Sequence, residues 1–230
     1  MINSKAKKIT AVFLTAALLL AFALPLFFRE NQREAESAEE SGVLVAELTF
    51  ESPGEYAGVD MNVDYLARMG ACCLAGDLEG GHQAAAERDQ KIDVIGLPAP
   101  KIDFDELYLL AKVITVEAES DWLPMEWKMM VGEVLLNRVA SPEFPDTMEA
   151  CVYQPRQYAA GSDPAFPELL PNEDAVEAAS RLLSGERLLR DPSVVFQGNY
   201  PQGSGIHTKL YDETLGATYL CYSNHPELYT

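Results

Sequence analysis

The 230-residue chain is short of the residues on which several common chemistries depend. Its three histidines, His82, His207 and His225, form no H-E-x-x-H arrangement, and its four cysteines form no C-x-x-C pair. Those spacings present ligands to zinc, so no metal centre is expected and no cofactor is assigned. There is no G-x-S-x-G elbow, and the glycine-bearing run GNYPQGSG lacks the Lys of a phosphate-binding loop. Cys151 has no evident histidine base beside it in the sequence. Basic charge is scarce as well: 17 Lys and Arg stand against 36 Asp and Glu, a formal net charge of −19. Nucleic-acid binding needs a basic footprint that neutralises phosphates, and this composition argues against it. A charge-driven grip on an anionic polymer is disfavoured for the same reason, so a site acting on one must supply its own contacts.

What is present divides the chain into four parts. Residues 1–28 carry Lys5, Lys7 and Lys8 ahead of an apolar stretch from Ile9 to Phe28 with no acidic residue. Twenty such residues suffice to span a bilayer, with the basic flank inside and the remainder outside. Ala21-Phe22-Ala23 resembles a cleavage site, so the segment is expected to be a membrane anchor or a signal peptide. Residues 29–60 form an acidic linker, with nine acids against Arg29 and Arg33. Residues 61–100 read as an accessory helical hairpin, broken near Gly76 or Gly80-Gly81, followed by the break LPAP. Residues 101–230 are the right size for one small domain. In an exported domain Cys151 and Cys221 are a conceivable disulfide, while buried reduced thiols are the equal alternative.

In that last part the chemistry gathers at one helix. Asp103 and Glu106 have the spacing of an N-cap and its third helical residue. Leu107, Leu110, Val113 and Ile114 then mark one apolar face. Three residues beyond Ile114, that face continues with Glu117. A carboxyl among apolar groups resists ionisation and can serve as a proton donor near neutral pH. The plain alternative is a helix-end glutamate that reaches water or pairs with Arg138. Pro124 is expected at the first position of a second helix carrying MEWKMMVGEVLLNRV, with Gly132 where another helix comes close. Asn172 caps a third helix, and SVVFQ and GATYLCYS read as strands separated by a long loop. The predicted class is α+β, a helical core with a small antiparallel strand pair.

The stretches LLAKVITVEAESDW, VGEVLLNRVASPEFPDT and VYQPRQY, together with the strands at VVFQ and GATYLCY, resemble the bacterial cell-wall hydrolase family typified by the spore cortex-lytic enzymes. The resemblance implies a lysozyme- or lytic-transglycosylase-like core with peptidoglycan as its partner. Its chemistry is cleavage of the MurNAc–GlcNAc β-1,4 bond by one catalytic glutamate, which aligns with Glu117. Asn137, Gln157, Tyr158, Gln197 and Trp122 are the candidate substrate-binding residues. The competing functions are an N-acetylmuramoyl-L-alanine amidase and a non-catalytic wall-binding scaffold. The expected location is the cell membrane with the domain outside, or the cell wall after secretion; no protein partner is indicated. Thr115 stands where the family often has tyrosine, which would remove one substrate contact.

Overall fold

Helix boundaries follow their capping residues. In the computed structural model, which describes residues 59–118 and 121–229, α1 (Tyr65–Ala75) opens where the Asp64 carboxylate accepts from the Ala67 N–H, and stops at Gly76 with φ 66°. That left-handed conformation costs glycine nothing. Helix α2 (Leu78–Ile95) follows at once, capped by Asp77. The hairpin expected between 61 and 95 therefore breaks at Gly76, and Gly80 and Gly81 lie inside α2. Gly81 is required there, because a Cβ would sit 2.1 Å from the Phe104 ring.

Helix α3 (Phe104–Glu117) begins as its cap pattern predicts, with Asp103 accepting from the Glu106 N–H at 3.0 Å. Helix α4 (Met125–Val139) starts one position after Pro124, which occupies the N-cap. Proline fits this boundary because it has no N–H to leave unpaired. A short α5 (Met148–Val152) leads into a proline-bearing stretch with two 3₁₀ turns, Ala160–Ser162 and Phe166–Glu168. Helix α6 (Glu173–Leu183) is capped by the Asn172 side chain.

The main core lies where α3, α4 and α6 meet, and it buries Leu107, Leu110, Ile114, Met129, Leu135 and Leu182. Gly132 sits at the crossing. A Cβ there would fall 2.7 Å from both Ile114 Cδ1 and Leu182 Cδ1, so the close helix approach predicted for this glycine is present. Met69, Cys73 and Ala84 of the hairpin are buried in the same cluster, and residues 56–230 form one compact unit.

The sheet corrects the sequence reading. Strands β1 (Val194–Gly198), β2 (Ile206–Asp212) and β3 (Gly216–Tyr222) are antiparallel in the order β1–β3–β2. A strand pair was expected, and the second half of its connecting loop is β2. This strand never buries a full face: Lys209 and Tyr211 are exposed, while Leu210 packs inward. A register irregularity between Ile206 and Thr208 further blurs its period-two pattern. Val194 and Leu220 of the sheet pack with Val134 of α4, which sets β1 beside the helical core.

No helix among the described residues is long and apolar enough to cross a membrane. The expected span at 9–28 and nearly all of the acidic linker lie outside the described residues. All four cysteines are free thiols, so Cys151 and Cys221 are not bridged.

Candidate active site

Glu117 is the last residue of α3, on the face that Ile114 buries one turn earlier. Its Oε2 accepts from the Gln197 side-chain amide at 3.4 Å. Its Oε1 is enclosed and has no partner of hydrogen-bond geometry among the described residues. Burial is the largest influence on this carboxyl and pushes its pKa up. The backbone N–H groups of Ala159 and Ala160, the Gln197 amide and the Arg138 charge pull the other way. The net shift is upward, as the helix-face argument requires of a proton donor.

The segment that brings Ala159 and Ala160 to the site is tightly folded. Arg156 bends it with φ 69°. At Gly161 a Cβ would lie 2.2 Å from the Val152 carbonyl oxygen, so only glycine lets this turn sit down on α5. Tyr158, in the same segment, is buried, and its hydroxyl has no partner of hydrogen-bond geometry among the described residues. Burial drives its phenol pKa strongly upward, with Glu117 adding to the effect and Arg138 opposing it.

Among the described residues Arg138 makes no ion pair, with Glu117 or with any other acid. It is buried at the end of α4, donates from Nε to the Val195 carbonyl at 2.6 Å, and lies between two rings. Its guanidinium carbon is 5.1 Å from the centre of Phe144 and 4.7 Å from that of Tyr158. Aromatic faces and a strand carbonyl replace water around this cation.

The other predicted residues separate by position. Gln197 reaches Glu117 directly. Asn137 does not: its amide donates to the carbonyls of Asp191 and Val194, at 3.2 and 3.0 Å, and holds the entrance to β1. Gln157 is half-buried, and its backbone N–H closes a turn onto the Gln154 carbonyl. Trp122 is 60% exposed and donates its indole N–H to Asp212 at 3.1 Å, linking the α3–α4 connection to the end of β2. Thr115 donates to the Ala111 carbonyl and accepts from the Asn172 N–H, tying α3 to the cap of α6.

Glu133 on α4 does not join Glu117 as a second carboxylate. It is buried, and its Oε2 accepts from the N–H groups of Leu188 and Leu189 at 2.7 and 3.0 Å. It clasps the loop before β1. No other carboxyl contacts Glu117 among the described residues. His82 pairs with Asp105, His207 with Thr208 and His225 with Glu227. No three or more His, Cys, Asp or Glu side chains among the described residues converge as a metal site would require.

Six buried side-chain polar atoms lack a partner among the described residues, and four of them belong to Glu117, Arg138, Tyr158 and Gln197. Folded proteins satisfy nearly all such atoms, so their concentration around one carboxyl marks a place organised for chemistry rather than for stability. Arg138 and Tyr158 had no individual signature that would set them apart. Only their membership of the motif blocks LNRV and VYQPRQY pointed to them.

Residues 124–201 match the family model described as Cell Wall Hydrolase. Over that span the chain is similar to the cell wall hydrolases. The matched span holds Asn137, Arg138, Gln157, Tyr158 and Gln197, and begins just after Glu117 and Trp122. A spore cortex-lytic enzyme of Oceanobacillus iheyensis is 29% identical over 134 residues, 56% of this chain and 42% of that protein. One from Bacillus subtilis strain 168 is 31% identical over 81 residues, 35% of this chain and 26% of that protein. The chain thus spans less than half the length of the curated relatives it matches. The crystal structure of the catalytic domain of the Bacillus cereus SleB protein aligns with 52% of this chain and 91% of its own, at 26% identity and a TM-score of 0.40.

Proposed function

We propose that this protein cuts the glycan strand of peptidoglycan at the MurNAc–GlcNAc β-1,4 bond, as a lytic transglycosylase with Glu117 as its one catalytic acid and base. The observation that carries the reading is the solitary state of Glu117. It is a largely buried carboxyl of raised pKa, engaged by an amide and facing no second carboxylate among the described residues. Hydrolysis by two carboxylates needs a partner across the scissile bond. One acid suffices when the substrate provides its own nucleophile.

In this mechanism the Glu117 carboxyl gives its proton to the bridging oxygen as the bond from C1 to that oxygen breaks. Charge developing at C1 is relieved by attack of the same sugar's C6 hydroxyl, whose proton passes to the Glu117 carboxylate. A 1,6-anhydro sugar forms, no water is consumed, and Glu117 returns to its starting state. The partly exposed Trp122 and the half-buried Gln157 serve as glycan contacts at the rim. The N-terminal apolar stretch supports a domain working outside the cytoplasm, tethered to the membrane or secreted. The relatives' name makes spore cortex the first wall to try beside vegetative peptidoglycan.

The test is digestion of both walls by the full chain and by Glu117→Gln, with products weighed by mass spectrometry. Anhydro-muropeptides from the parent and a loss of at least about a hundredfold in the variant are expected, the usual scale for general acid catalysis. Hydrated reducing ends would make the enzyme a muramidase with the same acid. Free peptides would identify an amidase, and bound wall without products a scaffold. Equal rates in parent and variant would remove Glu117 from the mechanism.

A further inference from the structure

The two oxygens of Glu117 are not equivalent. Oε2 accepts from the Gln197 amide at 3.4 Å, while Oε1 has no partner of hydrogen-bond geometry among the described residues. The Ala159 and Ala160 N–H groups also favour the ionised carboxyl, and the Gln197 contact is long for a hydrogen bond. Charge-assisted bonds are shorter and about twice as strong, so the same amide binds the carboxylate better than the acid.

The Gln197 side chain is not needed to hold its own strand. Its residue pairs with Leu220 of β3, and its backbone carbonyl accepts from the Gln202 side chain at 3.3 Å. Gly198 leaves room for that contact, since a Cβ there would lie 2.6 Å from Gln202 Nε2. The strand is thus fixed through its backbone, and the Gln197 amide is left to face Glu117. Its own Oε1 is buried without a partner.

We infer that Gln197 is a positioning residue of Glu117: it holds the carboxyl through Oε2 and tightens its hold once the proton has left. The inference rests on the reading of Glu117 as the catalytic acid. Among the described residues, the other groups that bear on this carboxyl are Arg138 from α4 and, from the segment after α5, Tyr158 and the N–H groups of Ala159 and Ala160. Gln197 is the neutral contribution of β1. Removing its N–H takes away a bond that favours the ionised form, so the Glu117 titration moves upward.

The experiment has two arms on the full chain, using Gln197→Met, which keeps the side-chain length, and Gln197→Glu, which sets a second carboxyl in its place. In the first arm, Glu117 is titrated by carboxyl ¹³C NMR without substrate. An upward shift in both variants is expected, and an unmoved titration in either folded variant overturns the inference. In the second arm, cell-wall digestion is followed across pH. For Gln197→Met, kcat is expected to fall about tenfold or more with KM within about twofold, and the alkaline limb to move up. A loss confined to KM would make Gln197 a substrate contact and overturn the positioning role. A parent that releases no glycan product would sink the catalytic reading, while the NMR arm still judges the Gln197–Glu117 coupling by itself.

Discussion

Glu117 is a charge that the folded state accommodates at a cost. Its pKa is raised in the folded protein, so the folded state binds its proton more tightly than the unfolded chain does. The stability linked to that proton is fully present below the unfolded value of 4.5 and is lost as pH rises through the folded value. Glutamine has no proton to lose. Glu117→Gln is therefore expected to match the parent near pH 4 and to exceed it in stability above the folded pKa, measured by urea unfolding at both pH values. Under the proposed mechanism the same titration is expected to set an alkaline limb on cleavage, because the acid must start protonated. Of the site residues, Glu117 was legible in the sequence because it breaks an apolar stripe. Arg138 was not, because its compensation comes from Phe144, Tyr158 and the Val195 carbonyl, contacts that no local pattern announces. Asn137 was read as a substrate contact, and its use on β1 appears only once the strand is placed.

At the level of elements, the helices were readable wherever a cap wrote the boundary. Asp103 and Asn172 each receive the N–H that their spacing predicts, and Pro124 is off by one position. Strand β2 was missed because an edge strand with charged and aromatic groups on its open face has little apolar alternation to display. The loop before β1 was unreadable for another reason, since its anchor is the buried Glu133 on α4. Removing that carboxylate leaves two N–H groups without their acceptor. Glu133→Ala is expected to cost about 2–4 kcal/mol, read from chemical unfolding, because a buried side chain and its two backbone donors lose their hydrogen bonds together. Glu133→Gln, which keeps one acceptor oxygen, should lose less; equal losses would mean the clasp does not act through hydrogen bonding.

Across the whole molecule, the net charge of −19 opposes an anionic substrate. The screening length falls from roughly 30 Å at 0.01 M salt to about 8 Å at 0.15 M. Raising salt over that interval is expected to lower KM on intact wall several-fold and leave kcat in place. On wall stripped of its anionic polymers the effect should shrink. A KM that instead rises with salt would show attraction through a local patch stronger than the global repulsion. The acidic balance was visible in composition alone, whereas the sharing of one core by Met69, Cys73 and Ala84 with the α3–α4–α6 helices depends on packing that composition does not reveal.

The crossing at Gly132 also bears on temperature. Ile114, which fills the space a Cβ would need, lies one turn below Glu117 on the same helix. The aim of the carboxyl is thereby registered to the close-packed interior and not to a surface loop. Gly132→Ala forces Ile114 and Leu182 to give way, a strain of about 1–3 kcal/mol partly offset by the better helix propensity of alanine. Because the displaced side chain stands beneath the acid, the expected result is an enzyme whose turnover at moderate temperature drops further than its melting point, followed by parallel activity and calorimetric scans. A fall in both by the same measure would mean that the crossing supports the fold without steering the acid.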